Sequence, residues 1–178
     1  MLTLTKPPPE EAAPFYAPFL EAFPDGRVGA HLEAQAHELE ALCGGLDEPG
    51  AMLRYAEGKW TVKEVIGHLV DTERVFAYRL LRISRGDLTP LPGFDENSYV
   101  PEGQFNLRGV KELVAEFALQ RASTIALANG VPDPAWLRVG TANGFAISPR
   151  ALIYIILGHT KHHLVLLKER YRLPAASA

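Results

Sequence analysis

Between Ala151 and Leu167 an almost unbroken apolar run carries Gly158, His159, Thr160, Lys161, His162 and His163 in its middle. Residues advance about 100° per position around a helix, so positions i and i+4 share a face. His159 and His163 are such a pair. Leu152, Ile155, Ile156, Leu166 and Leu167 fall close to the same face, so the pair sits within the stripe that a helix buries. His162 falls toward one edge and Lys161 points away. A segment this apolar has to be enclosed by other elements. Two neutral imidazoles one turn apart, aimed into a core, are half of a transition-metal site. The competing reading is a pair of core histidines that only hydrogen-bond.

The rest of the chain has to supply the enclosure. With 178 residues there is enough for one domain with a proper core. Hydrophobic residues at 47% and charged residues at 22% place it in the globular class. A net charge of −3, with no basic stripe interleaved with aromatics, gives no reason to expect a nucleic-acid partner. Cys43 is the single cysteine, which excludes an internal disulfide and a cysteine-based zinc motif. It reads as a small apolar residue near a helix end. The stretch from Met1 to Pro9 has neither the apolar core nor the cleavage site of a signal peptide. The run from Ala151 to Leu157 is far short of the roughly 20 residues that cross a bilayer. The expectation is a cytoplasmic chain without a membrane partner.

Residues 1–24 are rich in proline, which fixes φ and removes an amide donor, so no long helix runs there. They read as an arm that docks through Phe15, Tyr16, Phe19 and Phe23, with a short helical turn among them. A domain of residues 25–174 follows. Its first long helix is expected over about 27–43, stopped by Gly44 and Gly45. Residues 46–58 read as a linker. Thr61 followed by Glu64 is a capping box that opens a second long helix from Val62 to about Arg85. On that helix His68 lies at the edge of the apolar stripe, with Thr72 and Arg79 below it, and Asp71 stands at i+3 from His68. Glu73 falls on the apolar side, where an unpaired carboxylate is costly.

Residues 88–106 read as a long loop, too apolar for disorder, packed over one end of the body. A third long helix is expected over about 107–128, with Arg121 central on its inner face. A buried guanidinium needs a carboxylate or an anion. Glu73 or Asp71 is the candidate within the chain, and an anionic substrate is the alternative. Residues 136–147, with Asn143-Gly144 at the turn, read as a small β-hairpin. Ser148 and Pro149 suit the N-cap and first position of the last helix, which is expected to close near Leu173. The tail 175–178 is expected to fray.

Four long amphipathic helices in one domain predict an all-α four-helix bundle, in which metal sites are built from side chains on facing helices. His68 from the second long helix joins His159 and His163 from the fourth as a three-nitrogen set. Such a set leaves coordination positions open, the arrangement of catalytic sites. Histidine-only ligation suits zinc or nickel, and iron or manganese less tightly.

The residues from Lys59 to Arg74, with Trp60, His68-Leu69 and Asp71-Thr72-Glu73, resemble a segment of the DinB/YfiT-like superfamily. Gly158 to Leu164 resembles that family's closing His-x-x-x-His helix, and the resemblance covers about residues 28–172. It implies a bundle of DinB/YfiT type with the hairpin before the last helix, often dimeric, so a homodimer is expected. It also implies a divalent metal at His68, His159 and His163. Members are described as metal-dependent hydrolases, and relatives include S-transferases and isomerases that use a low-molecular-weight thiol. The expected function is hydrolysis of a small molecule by metal-activated water. Asp71 would orient His68 or act as a base, and Arg121 would line the pocket or pair with Glu73. A thiol-dependent S-transferase on the same site is one alternative. A non-catalytic metal-binding stress-response module is the other.

Overall fold

The computed structural model describes residues 2–173, so the tail 175–178 lies outside the described residues. Seven α-helices are described: α1 Ala17–Glu21, α2 Val28–Cys43, α3 Glu48–Ala51, α4 Val62–Ser84, α5 Glu96–Gly103, α6 Val110–Asn129 and α7 Pro149–Glu169. Two short strands, β1 Gly140–Ala142 and β2 Phe145–Ile147, pair antiparallel before α7. The four long helices α2, α4, α6 and α7 form the bundle. Each of α2 and α4 packs on both α6 and α7, so the order around the bundle is α2, α6, α4, α7. Among the described residues no helix is long and apolar enough to cross a membrane.

Local chemistry explains where the helices start. The Thr61 hydroxyl accepts from the Glu64 amide at 3.0 Å, and the Glu64 carboxylate accepts from the Thr61 amide at 2.7 Å. This reciprocal cap opens α4. Ser148 caps α7 by accepting from the Ala151 amide at 3.1 Å, with Pro149 pre-set at the first position.

The core is two apolar blocks with a polar layer between them. One block holds Leu32, Phe76, Leu80, Leu152 and Ile155. The other holds Leu39, Val65, Ile66, Leu113, Phe117, Leu164 and Leu167. Gln35, Glu73, Arg121 and Thr160 lie between the blocks on their respective helices, and all four are buried. Arg121 joins them. Its guanidinium donates to Glu73 at 2.8 Å, to the Leu32 carbonyl and Gln35 Oε1 at 3.0 Å each, and to Thr160 Oγ1 at 2.9 Å. One side chain of α6 thus reaches all three other bundle helices.

The proline-rich arm is docked. Leu4 bridges Gly26, and the Tyr154 hydroxyl donates to the Leu4 carbonyl at 3.0 Å. Glu11 pairs with Arg150 and accepts from Ser148 Oγ at 2.6 Å. α1 lies along α7 where Gly158 lets it in: a Cβ at Gly158 would stand 2.4 Å from Phe19 Cα.

Four expectations change. The linker 46–58 holds α3, capped by Asp47, whose side chain accepts from the Gly50 amide at 2.9 Å. Within 88–106 lies α5, capped by Asp95 through the Asn97 amide at 3.0 Å; Pro101 sits late enough that one full turn precedes it. Trp136 and Leu137, expected in the first hairpin strand, instead close a 3-10 turn over Asp133–Leu137 that Pro132 and Pro134 open by fixing φ, and β1 starts only at Gly140. The last helix stops at Glu169 and not near Leu173, because Arg172 adopts φ 55° and Leu173 N–H turns back to the Leu167 carbonyl at 3.2 Å. The hairpin turn itself has Asn143 at φ 52° and Gly144 at φ 79°, the type I′ signature.

Glu73→Ala leaves a buried guanidinium uncompensated and is expected to lower unfolding free energy by about 3–5 kcal/mol. Urea melts check this, and a loss under about 1 kcal/mol would show that the layer is not holding the bundle. Gly158→Ala is expected to cost about 1–3 kcal/mol by overpacking. Limited proteolysis should then cut within residues 2–26 faster than in the wild type.

Candidate metal centre

α4 and α7 face each other, so His68 on one meets His159 and His163 on the other. The Nε2 atoms of His68 and His159 are 2.9 Å apart. Ring centroids are 4.9 Å apart for His68 and His159, 4.9 Å for His68 and His163, and 4.7 Å for His159 and His163. One ligand nitrogen from each ring lies within 4.8 Å of the others. Nitrogens bound to a single tetrahedral ion lie roughly 3.3 Å apart for bonds of about 2.05 Å. Small rotations of three side chains therefore suffice for a shared ion.

Electrostatics favour the ligand form. Burial pushes the His68 imidazole down to about 4. His159 and His163 are held well below their ordinary value, by burial first and by neighbouring imidazoles second. All three are neutral at pH 7 and offer lone pairs. The nitrogens also lack better partners. His68 and His159 meet through one Nε2···Nε2 contact, while the buried Nδ1 of His163 has no hydrogen-bond partner among the described residues. Buried polar atoms are normally satisfied. A cluster of neutral imidazoles that cannot satisfy one another fits a divalent transition ion.

The three rings stand in the wall of a cavity of about 470 Å³, within the usual range for a small-molecule site. α4 contributes Thr72, Phe76 and Arg79 to the lining, and α7 contributes His162. The arm contributes Phe15, Tyr16 and Phe19, Trp60 comes from just before α4, and Phe94, Glu96 and Asn143 complete the lining. Trp60 packs on His68 with centroids 4.8 Å apart, and Phe19 on His159 at 5.7 Å. A second cavity of about 260 Å³ shares Trp60 and His163 with the first.

One sequence expectation is displaced, and of the two alternatives for Arg121 the pair with Glu73 is the one formed. Asp71 does not reach His68: its carboxylate accepts from Arg74 at 3.3 Å and lies outside the cavity lining. Thr72 takes that place, its Oγ1 3.4 Å from His68 Nδ1. The cause is helical phase. Residue i+4 stacks over i more closely than i+3 does here, and Arg74 draws Asp71 outward. Arg121 is in the Glu73 pair, is 1% exposed and does not line the cavity. Cys43 is buried, and burial raises its thiol to about 12. His31 lies against Phe23 at 4.9 Å and His37 is exposed.

Sequence reasoning missed the wall made by the arm, which no spacing rule connects to histidines roughly 50 to 150 residues further along the chain. It also passed over Arg79 as a cavity residue. The signal was present: His68, Thr72 and Arg79 repeat at 4 and 7 residues, a polar line along an otherwise apolar face.

A model of the DinB superfamily matches residues 31–167. Two solved structures are similar in fold. YfiT from Bacillus subtilis, described as "a probable metal-dependent hydrolase with an unusual four-helix bundle topology", superposes with a TM-score of 0.74 at 19% identity. That match covers 82% of this chain and 84% of that one. A mycothiol-dependent maleylpyruvate isomerase superposes with a TM-score of 0.62 at 15% identity, covering 78% of this chain and 56% of that one. No curated protein matches the chain.

Folded His68 takes up its proton only near pH 4, whereas the unfolded chain takes one up near 6.5. With chelator present, stability should therefore fall as pH drops from 6.5 toward 4. The contribution from His68 is at most about 1.4 kcal/mol per unit. Compared with His68→Phe, the wild type should lose more stability across that window; parallel curves would mean that burial does not depress this ring.

Proposed function

The chain belongs to the DinB superfamily, and on that footing we propose that it is a metal-dependent hydrolase of a small molecule. His68, His159 and His163 would hold a divalent ion, zinc or nickel before iron or manganese. The observation that carries this reading is the convergence of three neutral imidazoles at the wall of an open cavity. An ion held there would supply Lewis acidity and lower the pKa of a water that it binds.

The chain's own residues do the rest. Thr72 Oγ1 beside Nδ1 of His68 favours a hydrogen on Nδ1, which leaves Nε2 free as a donor of electrons. Phe19 and Phe76 pack against His159 and shield the ring from bulk water. The Arg121–Glu73 pair fixes α4 against α6, and the Arg121–Thr160 bond fixes α7 beside His159. These contacts hold the rings in place before any ligand arrives, which is how a site avoids reorganisation during reaction. The proline-rich arm serves in this reading as a wall of the site through Phe15, Tyr16 and Phe19. The protein acts in the cytoplasm as a homodimer, a state that gel filtration checks; exposed Leu119 on α6, beside Val114 and Ala118, supports the pairing.

A thiol-dependent S-transferase is the second reading. The smaller cavity that shares Trp60 and His163 favours it, because a transferase needs room for a thiol next to its electrophile. The similar isomerase is named for its use of mycothiol.

Purified protein is expected to carry about one transition ion per chain, and a His159→Ala/His163→Ala variant at least roughly tenfold less. Ester and amide hydrolysis should stop with chelator and return with zinc or nickel. Turnover of an electrophile only when a low-molecular-weight thiol is added selects the transferase. A folded protein that takes up no ion removes both and leaves the buried histidines as hydrogen-bonding core.

A further inference from the structure

Among the described residues three cationic side chains are buried: Lys63, Arg79 and Arg121. Lys63 has Glu48 at 2.6 Å, and Arg121 has Glu73 at 2.8 Å. Arg79 is 3% exposed and, among the described residues, has no carboxylate within ion-pairing distance. A buried charge without a counter-charge is costly, and the usual remedy is a partner. Desolvation pulls the Arg79 guanidinium below its ordinary range, which reflects the same deficit, although Tyr16 opposes the shift. The Pro92 carbonyl takes one N–H at 2.8 Å, and Tyr16 takes another. Those two account for two of the five donors that a guanidinium offers.

The unused donors belong to a residue that lines the same cavity as the three histidines. The guanidinium lies over the rings of Phe76 and Phe94, at 5.6 and 5.8 Å from their centroids, which fixes its position. The rest of the lining is largely aromatic, with Phe19 and Trp60 in addition to Phe76 and Phe94. Glu96 is the one carboxylate in the lining, at the first position of α5 where the helix dipole already favours it. Three neutral imidazoles add no negative charge. The cavity therefore combines an apolar body with a guanidinium that, among the described residues, forms no ion pair.

We infer that Arg79 receives the anionic end of the molecule that fills this cavity, and that the occupant is a small aromatic or apolar carboxylate. Arg79 is then a substrate-binding residue, matching a planar carboxylate through paired N–H donors. This rests on the cavity being the substrate site of the proposed enzyme, but it needs no ion there. A purely structural Arg79, tying the segment around Pro92 to α4, would not distinguish a carboxylate from its neutral isostere.

Benzoate and benzamide are titrated calorimetrically into the full chain at pH 7, as purified and after stripping with chelator. The wild type is expected to bind benzoate at least roughly tenfold tighter than benzamide in both forms. Arg79→Met should erase the preference by weakening benzoate far more than benzamide, and Arg79→Lys should keep part of it. Equal affinities in the wild type, or no binding of either at millimolar concentration, overturn the assignment; this arm decides even where Arg79→Met does not fold. A preference that survives in Arg79→Met overturns it too. A preference that disappears on stripping moves the anion to the ion and overturns the role of Arg79, while the metal reading stands. A protein that binds no ion yet keeps the preference sinks the metal reading and leaves Arg79 in place.

Discussion

The hydrogen bonds of Arg121 bind the four bundle helices at a single level. A guanidinium brought into an apolar core without its partners would be expelled or would pull in water. Here Glu73 neutralises it, and Gln35, Thr160 and the Leu32 carbonyl take the remaining donors. Because the donors lie in one plane, the partners can only be satisfied when α2, α4 and α7 stand at particular heights relative to α6. An all-apolar layer would tolerate sliding, since hydrophobic contact is non-directional. The polar layer does not, and so it fixes the register of the bundle.

That register decides whether a site exists. Thr160, held by Arg121, is the neighbour of His159, and Thr72 beside Glu73 is the neighbour of His68 on the helical face. A displacement of one helix by a turn, about 5.4 Å, would carry His68 out of reach of the other two rings. The glycines before two of the histidines serve a related purpose. Gly158 admits the backbone of Phe19, and Gly67 admits the ring of Phe105, to which a Cβ would come within 2.3 Å. Both allow covering segments to press against the helices where the imidazoles emerge. The result is three neutral rings shielded on the protein side and open to a cavity on the other.

The centre and its surroundings differ in how they read from the chain. His159 and His163 are legible because a 3.6-residue repeat assigns them to one face without any knowledge of the partner helix. The capping box at Thr61 and the Ser148-Pro149 start are legible for the same reason: they are satisfied within one turn. The pairing of Glu73 with Arg121 is half legible. Each residue announces a need for a partner by standing on an apolar face, and the identity of the partner follows only when two helices meet. Asp71 misled because an i+3 and an i+4 neighbour both look close to His68 on paper, and only packing separates them.

Periodicity, caps and composition, all local properties, determined from the chain alone that this protein is a helical bundle with imidazoles in its core. Tertiary structure alone decided that Phe15, Tyr16 and Phe19 from the proline-rich arm wall the cavity, that Thr72 and not Asp71 stands at His68, and that Arg79 lines the cavity with, among the described residues, no carboxylate in ion-pairing distance. The physical reason is range. A helix face is set by neighbours three or four residues away, whereas a cavity wall and a missing counter-charge are properties of segments that meet only when the whole chain has packed.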